Sequence, residues 1–146
     1  MKNAIIEVES KQSIGEEGIK VVSPGNFYEE DGIFYAVYEE TEISGMEGTI
    51  TTIKIDGNKV FLNRKGSLNS EMIFEEGKSS YVLYETPYGT LDMKITTDSI
   101  KGEIRENGGG LDLEYILEFP GQAPIKTNLK ISISFQGTGM VAQSIE

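Results

Sequence analysis

Apolar and polar residues alternate with a period of two along most of the chain, and this pattern constrains the fold more than any other feature. Successive side chains of a β-strand point to opposite faces, so an alternating segment has one face for a core and one for solvent. No segment has a sustained helical period. The pattern predicts an all-β protein with strands in the ranges 4–12, 19–29, 33–42, 48–56, 58–66, 70–75, 79–86, 90–101, 111–119 and 127–136.

Short turn sequences separate these segments. Asp31-Gly32 predicts a type I′ hairpin turn, because both central positions of that turn need a positive φ. We expect Pro24-Gly25 to interrupt or bulge the second strand, since proline donates no hydrogen bond to a central ladder. The glycine-rich stretch 106–110 is interpreted as a flexible loop. It lacks the Lys-Ser/Thr pair and the following helix that a phosphate-binding loop needs.

The hairpin over residues 48–66 predicts which side chains point inward. A two-residue turn at Asp56-Gly57 or at Gly57-Asn58 changes the register by two residues, which preserves the faces. In either register the same face carries Thr49, Thr51, Ile53, Ile55, Val60, Leu62 and Arg64. One charged residue, Arg64, is therefore predicted on the face that a core covers.

Tight turns favour strands that follow one another in the sheet, and closing such a sheet removes edges that would promote aggregation. We predict one domain over residues 1–146, folded as a single antiparallel, mostly up-and-down β-barrel of about eight to ten strands, of the lipocalin or calycin kind. A two-sheet sandwich is the alternative.

The sequence lacks both histidine and cysteine. This excludes disulfides, thiolate chemistry, the Ser-His-acid arrangement and nearly every zinc site. We therefore predict no catalytic residues, no metal and no cofactor. A formal net charge of −11 disfavours nucleic acid and anionic membrane surfaces as partners. Without a signal-peptide core or an apolar run of membrane-spanning length, the chain is predicted to be cytoplasmic.

An ordered set of short motifs resembles the YwiB-like family, small bacterial proteins of unknown function. The motifs extend over residues 33–135: Tyr38-Glu39-Glu40, Arg64-Lys65-Gly66, Tyr84, Gly89, Leu91, Thr97-Asp98-Ser99-Ile100 and Tyr115. The resemblance implies a calycin-type barrel with a central cavity. It implies no activity and transfers no catalytic residue.

Arg64 is the leading candidate for a binding residue. A buried guanidinium is costly unless it is paired, so an inward Arg64 predicts a carboxylate beside it, from Glu39 or Glu40 and next from Glu47. The sequence does not decide which face of residues 33–42 points inward, because both faces are apolar. One face carries Ile33, Tyr35 and Val37, and the other carries Phe34, Ala36 and Tyr38. Arg64 is either an anchor for an anionic ligand or half of a structural ion pair at the barrel rim.

Several other residues in phase with the predicted core are candidates for a ligand pocket, and each is also explained by ordinary core packing. They are Tyr38, Tyr84, Tyr115, Met72, Phe74 and Met93. The paired acids at 29–30, 39–40 and 75–76 do not form catalytic dyads, because adjacent strand residues face opposite sides.

These residues favour a binding module over an enzyme. The prediction is a barrel that holds a small, partly apolar molecule, with an anionic group at Arg64. The alternative is a structural or protein-interaction module that acts through its outer surface or as a homo-oligomer. Its apolar patch would come from the outward residues Val22, Phe61, Ile73, Leu83 and Ile116.

Overall fold

A computed structural model describes residues 2–13 and 18–135 of the chain, and position 136 of the last predicted strand lies outside these ranges. The described residues form ten strands and no helix, so none of them lies in a helix able to span a membrane. The strands are β1 (Lys2–Gln12), β2 (Ile19–Glu30), β3 (Ile33–Glu39), β4 (Thr49–Asp56), β5 (Lys59–Gly66), β6 (Ser70–Phe74), β7 (Ser79–Thr86), β8 (Gly89–Arg105), β9 (Gly108–Glu118) and β10 (Ile125–Ser134).

The ten strands form one antiparallel, up-and-down sheet that closes on itself almost completely. Strands that follow one another in the chain pair along their length, and β1 pairs with β10. The exception is the junction of β6 and β7, where a single bridge joins Asn69 to Glu85. The predicted barrel is therefore confirmed, with ten strands and one seam at which Ser80 Oγ also donates to the Ile73 carbonyl.

The barrel interior is filled at mid-height by aliphatic and aromatic side chains. The Phe74 ring of β6 packs against the Tyr115 ring of β9, with 4.8 Å between centroids. The inward face predicted for the 48–66 hairpin is confirmed, since its threonines and aliphatic residues are buried. The largest fully buried hydrophobic side chains are Phe27, Phe74, Ile6, Ile53, Ile95, Leu113, Ile131 and Val60.

Pro24 does not interrupt β2, contrary to the sequence prediction. It lies opposite Ile5 in an unshifted register with β1, and the pairing of β2 with β3 begins only at Gly25. Proline is tolerated here because β2 has a paired neighbour on one side only at this point.

The glycine-rich stretch is also not a flexible loop. Gly108, Gly109 and Gly110 belong to β9, and only residues 106–107 turn. Gly108 and Gly109 have φ of 90° and 139°, and a Cβ on either would lie within 2.3 Å of a neighbouring strand's carbonyl oxygen. Glycine is needed at these positions because it has no Cβ to collide with the neighbouring strand and because it adopts a positive φ without strain.

Candidate functional site

The closed middle of the barrel separates two cavities. The upper end carries the loop over residues 40–48 and holds a cavity of about 330 Å³. The lower end carries the turns at 31–32, 57–58 and 106–107 and holds a wider one of about 730 Å³. The lower cavity is lined by apolar side chains, by several carboxylates and by Arg105, whereas the upper one is lined by Arg64 and by the buried Glu40 and Thr127. The upper cavity is the candidate site.

Turn geometry places Arg64 in the upper cavity. The chain turns at Gly57-Asn58, with a positive φ at Gly57 alone, as a type II′ turn requires of its first central residue. This turn sets Thr51 of β4 opposite Arg64 of β5. On either side of them lie Tyr38 of β3 and Ser70 of β6, so one row of polar side chains crosses four strands.

Arg64 faces Glu40, which lies directly after β3. Glu40 Oε2 is 4.0 Å from Arg64 Nε, and the side chains are 1% and 12% exposed. Thr51 Oγ1 donates a 2.5 Å hydrogen bond to the same oxygen. Since 4.0 Å is longer than a hydrogen bond, Glu40 balances the charge of Arg64 without accepting its N–H. Arg64 Nε is buried and has no hydrogen-bond partner in the described ranges.

Two tyrosines beside this pair stay protonated at neutral pH. Burial raises the pKa of Tyr38, and the negative charge of Glu40 raises it further against an opposing effect of Arg64. Burial also raises the pKa of Tyr115 to about 12, and the charge of Arg64 opposes this increase. Arg64 of β5 and Tyr115 of β9 both line the upper cavity. Both phenols therefore remain hydrogen-bond donors.

A second polar row lies on the wall opposite Arg64. Tyr115 of β9 is paired with Thr97 of β8 on one side and with Thr127 of β10 on the other. The Oγ1 atoms of both threonines are buried and have no hydrogen-bond partner among the described residues. Thr127 lines the upper cavity, and Thr97 is not among the lining residues.

Most of the predicted site residues meet in this cavity. Its lining includes Arg64, Glu40, Tyr38, Tyr84, Tyr115 and Met72, together with residues 44–46 of the upper loop. Phe74 and Met93 are buried as predicted, but they pack in the core and do not line the cavity.

The prediction that Glu39 belongs to the site is wrong. The inward face of β3 carries Ala36 and Tyr38, and this phase continues to Glu40, whose N–H donates to the Thr49 carbonyl. Glu39 therefore points outward and is exposed, as is Glu47 in the loop. Of the three acids considered for Arg64, Glu40 is the partner.

Sequence reasoning did not identify Thr51, Ser70 or Thr127 as site residues. Each carries a hydroxyl group and alternates in phase with aliphatic residues that point inward, and this phase is the sequence feature that could have identified them. No group of three or more acidic side chains in the described ranges is arranged to hold a metal ion.

The fold and the site together define a small, nearly closed antiparallel barrel with a polar cavity at one end. Residues 5–131 match the family model "Domain of unknown function (DUF1934)", and the chain belongs to this family. The uncharacterized β-barrel protein YwiB of Bacillus subtilis is 24% identical over 113 residues, which are 77% of this chain and 75% of YwiB. The resemblance to YwiB-like proteins is thus confirmed.

The crystal structure of the ywiB protein from Bacillus subtilis has the same fold. It superposes with a TM-score of 0.77 over 93% of this chain and 91% of that chain, at 21% sequence identity. This similarity supports the barrel architecture.

Proposed function

We propose that this protein binds a small organic molecule in the upper cavity, with an anionic group of the ligand at the Arg64 guanidinium. The supporting observation is the buried Arg64 Nε, which has no hydrogen-bond partner in the described ranges and lies 4.0 Å from its counter-charge. A buried donor of this kind is unfavourable unless an acceptor meets it. A carboxylate or phosphate matches the planar N–H fork of arginine.

The rest of the lining suits an apolar ligand body. Leu62, Met72 and Leu117 contribute aliphatic and thioether surface, while Tyr84 and Tyr115 contribute aromatic rings. Methionine adapts its shape to irregular partners. At about 330 Å³, the cavity lies at the lower end of the range for small-molecule sites, about 300–1,000 Å³. The class of ligand is therefore a small amphipathic anion.

Fluorescence of anilinonaphthalene sulfonate tests this proposal, because the dye combines an apolar ring system with an anionic group. We expect saturable binding that octanoate displaces and that octanol, with the same chain but no charge, displaces much more weakly. Arg64→Gln should weaken binding of both anions by about tenfold to a hundredfold, as expected for one charge-assisted hydrogen bond of about 1.5–3 kcal/mol.

Arg105→Gln is the matched control. Arg105 is the second arginine of the sequence and lies at the opposite end, 71% exposed and paired with Glu103. It should leave dye binding unchanged. Equal losses in the two variants, or equal displacement by octanoate and octanol, would contradict the proposal.

We also propose that the protein acts by binding rather than by catalysis, and that it works in the cytoplasm. The sequence has no histidine or cysteine to serve as a general base or nucleophile. The buried carboxylate of the site, Glu40, is held by Thr51 and Arg64. Fractionation of the host cell tests the location.

A second candidate function is association through the outer surface. Tyr81 and Leu83 project from the outer face of β7 and are both exposed, beside the seam with β6. Exposed apolar side chains of this size favour a protein partner or a second copy of the chain. Sedimentation over a range of concentrations tests the homo-oligomer, and a strict monomer would contradict it.

A further inference from the structure

We infer that the ligand of the upper cavity carries, besides its anionic group, a second hydrogen-bonding oxygen, a hydroxyl or a carbonyl, which meets the hydroxyl of Thr127. The inference rests on the proposed function and specifies its ligand as a bifunctional organic acid. It comes from the wall opposite Arg64.

Thr127 carries an unused hydrogen-bonding group in the wall of the cavity. The residue is 4% exposed and lines the cavity, and its Oγ1 has no partner in the described part of the chain. A hydroxyl both donates and accepts, and it is unfavourable to bury it unpaired. A purely apolar ligand body would leave it unpaired, whereas a ligand oxygen would satisfy it.

The position of Thr127 relative to Arg64 describes the ligand further. Thr127 lies directly opposite Tyr115 on the neighbouring strand, and such pairs have Cβ atoms about 5 Å apart. Tyr115 and Arg64 both line the same cavity. The second oxygen is thus expected on the part of the molecule that lies along the wall of Tyr115 and Thr127, away from the anionic group. Hydroxy acids and oxo acids of medium chain length have this chemistry.

Thr97 provides a control within the same wall. It lies opposite Tyr115 on the other side, is 1% exposed, and likewise has an unpartnered Oγ1 among the described residues. It does not line the cavity. Valine has nearly the shape of threonine, so Thr127→Val and Thr97→Val each remove one buried hydroxyl and differ in whether that hydroxyl reaches a ligand.

The first measurement is urea unfolding of the protein alone. Both variants should unfold at a higher urea concentration than the parent, because each loses an unsatisfied buried hydroxyl. A lower midpoint for Thr127→Val would mean that its hydroxyl is already satisfied within the protein, and this would overturn the inference.

The second measurement is calorimetric titration of octanoate and of its positional hydroxy and oxo derivatives. At least one derivative should bind the parent about tenfold more tightly than octanoate, which is what one satisfied buried hydrogen bond provides. Comparison of hydroxy with oxo derivatives distinguishes the two oxygen types. Thr127→Val should abolish this preference, whereas Thr97→Val should keep both the preference and the octanoate affinity of the parent.

The outcomes separate this inference from the proposed function. If neither octanoate nor any derivative binds through Arg64, both fail. If octanoate binds and no derivative binds more tightly, or if the preference survives in Thr127→Val, the inference fails while the anionic site stands.

Discussion

Arg64 Nε lies 4.0 Å from Oε2 of Glu40 inside the barrel, and the same carboxylate oxygen accepts a hydrogen bond from Thr51. The pair is electrically balanced, yet the guanidinium nitrogen lacks an acceptor among the described residues. A buried ion pair is in general weak support for stability, because desolvation offsets the attraction between the charges. This relationship therefore favours a role in recognition over one in holding the fold.

The first prediction concerns this pair. Arg64→Leu leaves the Glu40 carboxylate buried without a cation and should lower the free energy of unfolding by up to about 3–5 kcal/mol. The double variant Glu40→Gln/Arg64→Leu carries no buried charge and keeps an acceptor for Thr51, so it should recover most of this loss. Urea unfolding measures both. A double variant as unstable as the single one would show that the arginine stabilises the fold in another way.

The second prediction concerns the glycines of β9. Alanine at Gly109 would have a φ of 139° and place its Cβ 2.2 Å from the Glu103 carbonyl oxygen, so Gly109→Ala should destabilise the protein by about 1–3 kcal/mol. Gly110→Ala is the control, because a Cβ there meets its nearest atom at 3.5 Å. Thermal unfolding compares the two. Similar, small effects would favour a loose loop over the paired strand.

The third prediction is a loss of stability at high pH. Burial raises the pKa of Tyr115 to about 12 in the folded protein, from about 10 in the unfolded chain. The folded state then holds a proton that the unfolded state releases. This stabilisation is complete below pH 10 and is lost as the pH rises to about 12, by about 2–3 kcal/mol.

Tyr115→Phe should reduce the fall of the unfolding free energy between pH 10 and pH 12. Tyr38→Phe should do so as well, since burial also raises the Tyr38 pKa. Tyr88→Phe, which removes a fully exposed phenol, is the control. Unfolding free energies measured between pH 9 and pH 12 test this. Parallel profiles for Tyr115→Phe and the parent would argue against a buried phenol.

The sequence predicted the local features of the fold well, because strand alternation and turn chemistry are local. The inward face of the 48–66 hairpin, and with it the inward position of Arg64, follows from one glycine turn and one alternating pattern, whereas the register stayed open by two residues. The barrel itself was predicted because ten short strands joined by tight turns have few other ways to cover their edges.

Other features depend on distant parts of the chain and were not readable. Both faces of 33–42 carry apolar residues, so only the pairing of β3 with β2 and β4 decides that Tyr38 and Glu40 point inward. Gly108 and Gly109 look like loop residues until the neighbouring strands approach them. Which threonines reach the cavity likewise depends on where the barrel is filled.

The most direct test of the binding site uses the arginine side-chain Nε–Hε signals in nitrogen–proton NMR spectra. Arg64 and Arg105 are the two arginines of the sequence, so two such signals are expected, and the Arg105→Gln variant assigns them. Titration with octanoate should shift the Arg64 signal to a plateau and leave the Arg105 signal in place. If the Arg64 signal stays constant, or if both signals drift together without saturating, the anion does not bind at Arg64 and the proposed site is wrong.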